Sequence, residues 1–89
     1  MNEIYNVTKE INRKYREIKL TDSNYNVMLK HEYQSTDRLI QEITEHEDAL
    51  MFSIDSMEVI DSTTLIITPM LEDIEEHLFK EERVWKRKQ

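Results

Sequence analysis

The chain contains no glycine and only one proline, Pro69, among its 89 residues. Glycine supplies the left-handed backbone conformations that most tight hairpin turns use, and proline interrupts regular structure. A β-sheet protein of this size would need several such turns. The absence of glycine therefore predicts long helices joined by few connections, which is an all-α fold.

Apolar residues at helical spacing place the first helix at about residues 2–18. They recur every three or four positions and form one stripe: Ile4, Val7, Ile11, Tyr15 and Ile18. Residues 21–24, Thr-Asp-Ser-Asn, mark the clearest break, because each of these side chains can cap the start of a helix. A second helix is expected to begin there.

The second stripe predicts a long middle helix over residues 25–57. Its members are Tyr25, Leu29, Tyr33, Thr36, Ile40, Ile43, Leu50, Ile54 and Met57. An unbroken helix of this length would measure about 50 Å. A break near residues 47–56 would instead fold it back on itself and give four helices rather than three.

Residues 59–68 are rich in β-branched side chains, which favour strands. A lone strand has no partner within a helical chain, so we expect a loop followed by a short buried helical turn. The last helix is predicted from Pro69 to about Lys86, with Thr68 as its cap. Its apolar face comprises Met70, Leu71, Ile74, Leu78, Val84 and Trp85.

These segments predict a single domain spanning residues 1–89, an antiparallel three-helix or four-helix bundle with coiled-coil packing. One side of a long central helix would remain bare, and no cysteine is present to brace a small core. We therefore expect a homo-oligomer.

Charge is unevenly distributed along this acidic chain, whose net charge is −7. The segment 21–76 carries a strong excess of acidic residues, whereas both ends are basic. The sequence shows no secretory signal and no apolar run long enough to cross a membrane. A cytoplasmic location away from membranes is the expectation.

Catalytic and metal-binding signatures are missing from the sequence. His31, His46 and His77 lack the Glu-x-x-His and His-Glu-x-x-His spacings of metal sites on helices. A glycine-rich phosphate loop and a cysteine nucleophile are also absent. We therefore expect a protein that is not an enzyme and that needs no metal or cofactor.

The remaining interpretation is a protein–protein interaction module, an adaptor or an inhibitory regulator of the kind that phages and mobile elements encode. Trp85, Phe79 and Val84 would anchor an apolar contact, and tryptophan is among the residues that dominate interface energies. An acidic helical face would add charge complementarity, and its residues are Glu42, Glu45, Asp48 and Asp55. Two alternatives stay open: a nucleic-acid-binding regulator that uses the basic termini, and a nucleotide or other small-ligand binder at an oligomer interface.

Overall fold

The protein, seen in a computed structural model that describes residues 3–30 and 35–87, combines helices with a sheet. Side chains are described up to residue 80 of that part. The elements are α1 (Glu3–Arg16), β1 (Val27–Lys30), α2 (Thr36–Glu45), a 3-10 turn (Glu47–Ala49), β2 (Ile54–Asp61), β3 (Thr64–Pro69) and α3 (Leu71–Arg87). The predicted all-α bundle with coiled-coil packing is therefore wrong, and the fold is α+β.

The three strands form an antiparallel sheet in the order β1-β3-β2. Val27 lies opposite Ile67 and Leu29 lies opposite Leu65, so these four side chains share one face. All four are buried, whereas the alternating residue Met28 is 48% exposed. The sheet is thus covered on one face only, as antiparallel sheets commonly are.

The segment 59–68, predicted as a loop and a helical turn, instead forms most of the β2–β3 hairpin. Two-residue hairpin connections ordinarily use positive φ angles, yet no residue in the described part has one. Asp61 supplies a substitute, because its carboxylate accepts hydrogen bonds from Thr63 N (2.9 Å) and Thr63 Oγ1 (3.1 Å). Ile60 is an extra residue in the register beside the turn, and such a bulge adds local twist. A polar side chain and a bulge thus replace glycine.

The prediction of a long middle helix is also wrong. The apolar residues assigned to it are distributed over several elements of the structure. Val27 and Leu29 are buried alternately in β1 rather than along a helix. Helix α2 begins at a cap that the sequence analysis did not identify: Ser35 Oγ accepts a hydrogen bond from Arg38 N at 3.1 Å. Ile43 belongs to that helix and is fully buried.

The predicted ends of the first and last helices lie within two residues of the observed ends of α1 and α3. The expected stripe of α1 is confirmed, because Val7, Ile11 and Tyr15 are buried. Helix α3 begins at Leu71 rather than at Pro69, which closes the central strand β3. The carbonyl of Met70 accepts hydrogen bonds from Asp73 N and Ile74 N and opens the first turn.

One apolar core joins the sheet to all three helices. The buried residues are Val7, Ile11, Tyr15, Ile18, Val27, Leu29, Leu39, Ile43, Phe52, Leu65, Ile67 and Ile74. Lys14 Nζ also donates to the carbonyl of Met28 at 2.8 Å, which ties α1 to the edge strand β1. Among the described residues, no helix is both long and apolar enough to cross a membrane.

Truncation of Ile43 tests this core. Ile43→Ala should lower the free energy of unfolding by about 2–5 kcal/mol, because it removes buried methyl groups and leaves a cavity. Ile60→Ala is the matched control, since Ile60 is 53% exposed, and it should change stability by less than about 0.5 kcal/mol. Urea unfolding followed by circular dichroism measures both values. Equal effects of the two substitutions would contradict the assignment of Ile43 to the core.

The Asp61 turn yields a pH-dependent prediction. The N–H of Thr63, followed by the Thr64 side chain, holds the pKa of Asp61 below its usual value of 3.8. Because this pKa is lower in the folded state, the stabilisation is present above about pH 4 and is lost as the pH falls through the lowered pKa.

Asp61→Ala should therefore lower the melting temperature at pH 7, and the difference from the parent protein should shrink on acidification. Ser62→Ala, one position further along the same turn, is the control and should leave the melting temperature nearly unchanged. A difference between parent and Asp61→Ala that stays constant down to pH 2 would rule out this role of the carboxylate.

Candidate interaction surface

Helix α3 is fastened to the rest of the protein along one side. The hydroxyl of Tyr15 donates to the carbonyl of Asp73 at 2.9 Å, and Nε2–H of His77 donates to the carbonyl of Ile18 at 2.9 Å. The Tyr15 ring stacks on Phe52 with centroids 4.4 Å apart and lies 5.0 Å from the His77 ring. The first two turns of α3 therefore have a fixed position against the end of α1.

The other side of α3 exposes large apolar side chains. Leu71 is 68% exposed and Phe79 is 57% exposed. Glu75 lies between them, and the spacing of four residues puts all three along one side of the helix. We call Leu71, Glu75 and Phe79 the outer row of α3. The row spans about 12 Å and is flanked by the exposed carboxylates of Glu72 and Glu76.

A groove opens beside the first turn of α3. Its volume is about 270 Å³, and its lining consists of Tyr25, Asn26, Asp55, Thr68, Pro69, Leu71 and Ile74. We call it the Asp55 groove. Leu71 belongs both to the groove and to the outer row, so the two features form one continuous surface.

Asp48 lies in a second depression that also reaches α3. Its acidic lining residues are Glu47, Asp48 and Asp73. Two of these carboxylates bind the backbone at the start of β2. Asp73 Oδ2 accepts a hydrogen bond from Ser53 N at 2.8 Å, and Glu47 Oε2 accepts one from Ile54 N at 3.3 Å. Asp48 is exposed, and no contact is seen for it within the described residues. Asp48 and Asp55 thus line two depressions that both border the start of α3.

Glu42 and Glu45, the other two predicted acidic residues, lie on α2 and are engaged there. Glu42 Oε2 accepts from Arg38 Nε at 3.1 Å, and this side chain is only 20% exposed. Glu45 Oε2 accepts from Gln41 Nε2 at 3.4 Å. The four carboxylates predicted to form one helical face therefore belong to three different elements, which corrects the single acidic helix of the sequence analysis.

The three predicted apolar anchors can be placed only in part. Phe79 is exposed, as an anchor must be. Val84 and Trp85 belong to α3, but their side chains lie outside the described residues. Leu71, predicted to lie on the apolar face of the last helix, is instead exposed at the rim of the groove. Tyr25 packs against the core, as its stripe predicted, and also lines the groove. Apolar spacing alone carries no signal of which of these residues line a groove.

The basic N-terminal segment presents a different surface. A depression of about 490 Å³ runs along α1 and is lined by Asn6, Lys9, Glu10, Asn12, Arg13 and Arg16. Its cations already have neighbours: Arg13 pairs with Glu17 at 3.1 Å, and Lys9 Nζ lies 5.0 Å from the centre of the Tyr5 ring. At the other end, Lys80 is the last residue whose side chain is described.

Metal ligation has no visible support in the part of the chain that the structure describes. No group of three or more histidine, aspartate or glutamate side chains is arranged there to hold an ion. His46 Nδ1 lies 2.9 Å from the Glu42 carbonyl and His77 bonds to Ile18. His31 falls outside the described residues.

Comparison of the chain with protein-family models, with curated proteins and with solved structures found no match.

Tyr15 provides a test of how α3 is attached. Burial, followed by the negative charges of Asp73 and Glu76, raises the pKa of the Tyr15 phenol above its usual value of 10.0. Because the folded-state pKa is the higher one, the associated stability is present below about pH 10 and is lost as the pH rises through the raised pKa.

Tyr15→Phe should lower the free energy of unfolding by about 0.5–1.5 kcal/mol at pH 7, the usual contribution of one hydrogen bond. It should also weaken the loss of stability at alkaline pH. Denaturant titrations at pH 7 and above pH 10 measure both effects. A variant as stable as the parent at pH 7, with an unchanged alkaline profile, would show that this hydroxyl does not fasten α3.

Proposed function

We propose that this protein is a non-enzymatic protein-binding module, an adaptor or an inhibitory regulator, that docks its partner on the outer row of α3 and the groove beside it. The observation that supports this most directly is the exposure of Leu71 and Phe79 on one side of a helix whose other side is fastened to the core. Exposed apolar residues that share a face commonly mark interaction sites.

The charge around the outer row points to a basic partner. Glu75 lies within the row and Glu72 and Glu76 flank it, and Lys80 is the one lysine or arginine among the described side chains of α3. Complementary charge speeds association and excludes partners of the wrong sign. The apolar side chains supply the affinity, because a few buried anchors dominate most interfaces.

The size of the Asp55 groove suits one side chain of a larger partner better than a whole small ligand. Ligand pockets usually enclose about 300–1,000 Å³ and bury most of the bound molecule. The Asp55 groove is smaller, at about 270 Å³. Such a groove accommodates one side chain of a partner that also contacts the outer row.

Alanine substitutions in the outer row test the proposal. The double variant Leu71→Ala, Phe79→Ala should bind the partner with a free energy weaker by about 2 kcal/mol or more, roughly 30-fold in Kd. Both side chains are exposed, so the fold should persist, and circular dichroism verifies this. The partner is first isolated from an extract of the native host, and its affinity for each purified variant is then measured by calorimetry.

The double variant Met28→Ala, Ile60→Ala is the control, because both residues are about half exposed and lie on the sheet. It should bind as the parent protein does. A partner that binds the α3 variant as tightly as the parent would refute the proposal. Salt-dependent binding of oligonucleotides that is lost in Lys9→Ala, Arg16→Ala would instead establish the nucleic-acid alternative.

A further inference from the structure

We propose that the Asp55 groove receives the side chain of an arginine or lysine from a basic segment of the partner protein. The inference rests on the proposed function and adds the chemistry of the residue that is recognised. An aliphatic stem would lie between apolar walls, and the cationic group would reach the carboxylate of Asp55.

The position of Asp55 is set by an irregularity of the sheet. Ile54 lies opposite Pro69 and Ser56 lies opposite Thr68, so Asp55 is one extra residue without a partner in the ladder. Such a bulge bends its strand and redirects a side chain from the regular alternation. Asp55 is one of the residues that line the groove, and the bulge places it there outside the regular alternation of the strand.

The Asp55 carboxylate is available to a ligand. No hydrogen bond or ion pair joins it to any other described residue. None of the seven lining residues is cationic, so the groove does not neutralise this charge internally. The neighbouring Asn26 and Thr68 add polar groups that can orient a cationic head.

The rest of the lining suits an aliphatic stem. Pro69 is buried and Ile74 is 3% exposed, which gives the groove a fixed floor. Leu71 stands at the rim with 68% of its surface exposed. Arginine and lysine bury such stems along apolar surface while the charge stays at a polar end, and the Tyr25 ring can take a cation against its face.

The positive end of the α3 dipole opposes a cation at this place, because Leu71 is the first residue of the helix. Four carboxylates within the first two turns offset it, those of Glu72, Asp73, Glu75 and Glu76. Asp55 adds a fifth negative charge on the adjoining strand. The net field at the groove therefore favours a cationic group.

A titration with small probes tests the groove without the partner. N-acetyl-arginine amide should shift the backbone amide resonances of Asn26, Asp55, Thr68 and Leu71 in NMR spectra of the ¹⁵N-labelled protein. N-acetyl-citrulline amide, which has nearly the same shape but no charge, should shift them at least about tenfold less at equal concentration, because hydrogen bonds to a charged group are the stronger ones.

Asp55→Asn should weaken binding of the arginine probe at least about tenfold. Glu58→Gln, which removes an exposed carboxylate from the same strand, should leave it unchanged. Equal binding by Asp55→Asn and the parent protein, or equal shifts with the citrulline probe, would overturn the inference.

The same variants separate this inference from the proposed function. A partner that is lost by Leu71→Ala, Phe79→Ala but retained at full affinity by Asp55→Asn would overturn the role of the groove and leave the docking surface intact. An arginine probe that binds the groove, combined with a partner indifferent to the outer row, would support the groove and refute the proposed function.

Discussion

The sheet has one apolar face, and the placement of the other elements follows from the need to cover it. Val27, Leu29, Leu65 and Ile67 form that face, and the buried stripe of α1 belongs to the same core. Apolar burial is the dominant favourable term in folding, so a small domain cannot leave such a face in water. Once α1 lies on the sheet, its last turn presents Tyr15 to α3, and Ile18, just beyond the helix, lies beside it.

The attachment of α3 decides which of its sides faces solvent. The ring of Tyr15, its hydroxyl and the imidazole of His77 fix one side of the helix. On the opposite side of α3, Leu71 and Phe79 are exposed to solvent and have glutamate side chains as neighbours. Because the same turn of α3 also borders the Asp55 bulge, an apolar row and a carboxylate groove adjoin on a single surface.

Sequence periodicity predicted the ends of α1 and α3 to within two residues. The stripe of α1 is buried as expected, whereas Met70 and Leu71 of the predicted apolar face of the last helix are exposed. The same periodicity was misleading over residues 25–57. The apolar residues spaced three or four apart there belong in turn to β1, to α2 and to β2. Spacing cannot reveal that successive apolar residues belong to different elements. The β2–β3 hairpin was not predicted for another reason. The Asp61 carboxylate and an extra residue beside the turn shape a connection that ordinarily needs glycine. The absence of glycine therefore did not exclude a sheet.

The sequence by itself determined the two outer helices and the acidic middle segment. Tertiary structure decided that Asp55 stands on a bulge, that Leu71 lies at the rim of a groove instead of in the core, and that Glu42 is held by Arg38. The reason is physical. A helical face is encoded by neighbours three or four residues apart, whereas strand register and the packing of α3 depend on contacts between residues far apart in the chain.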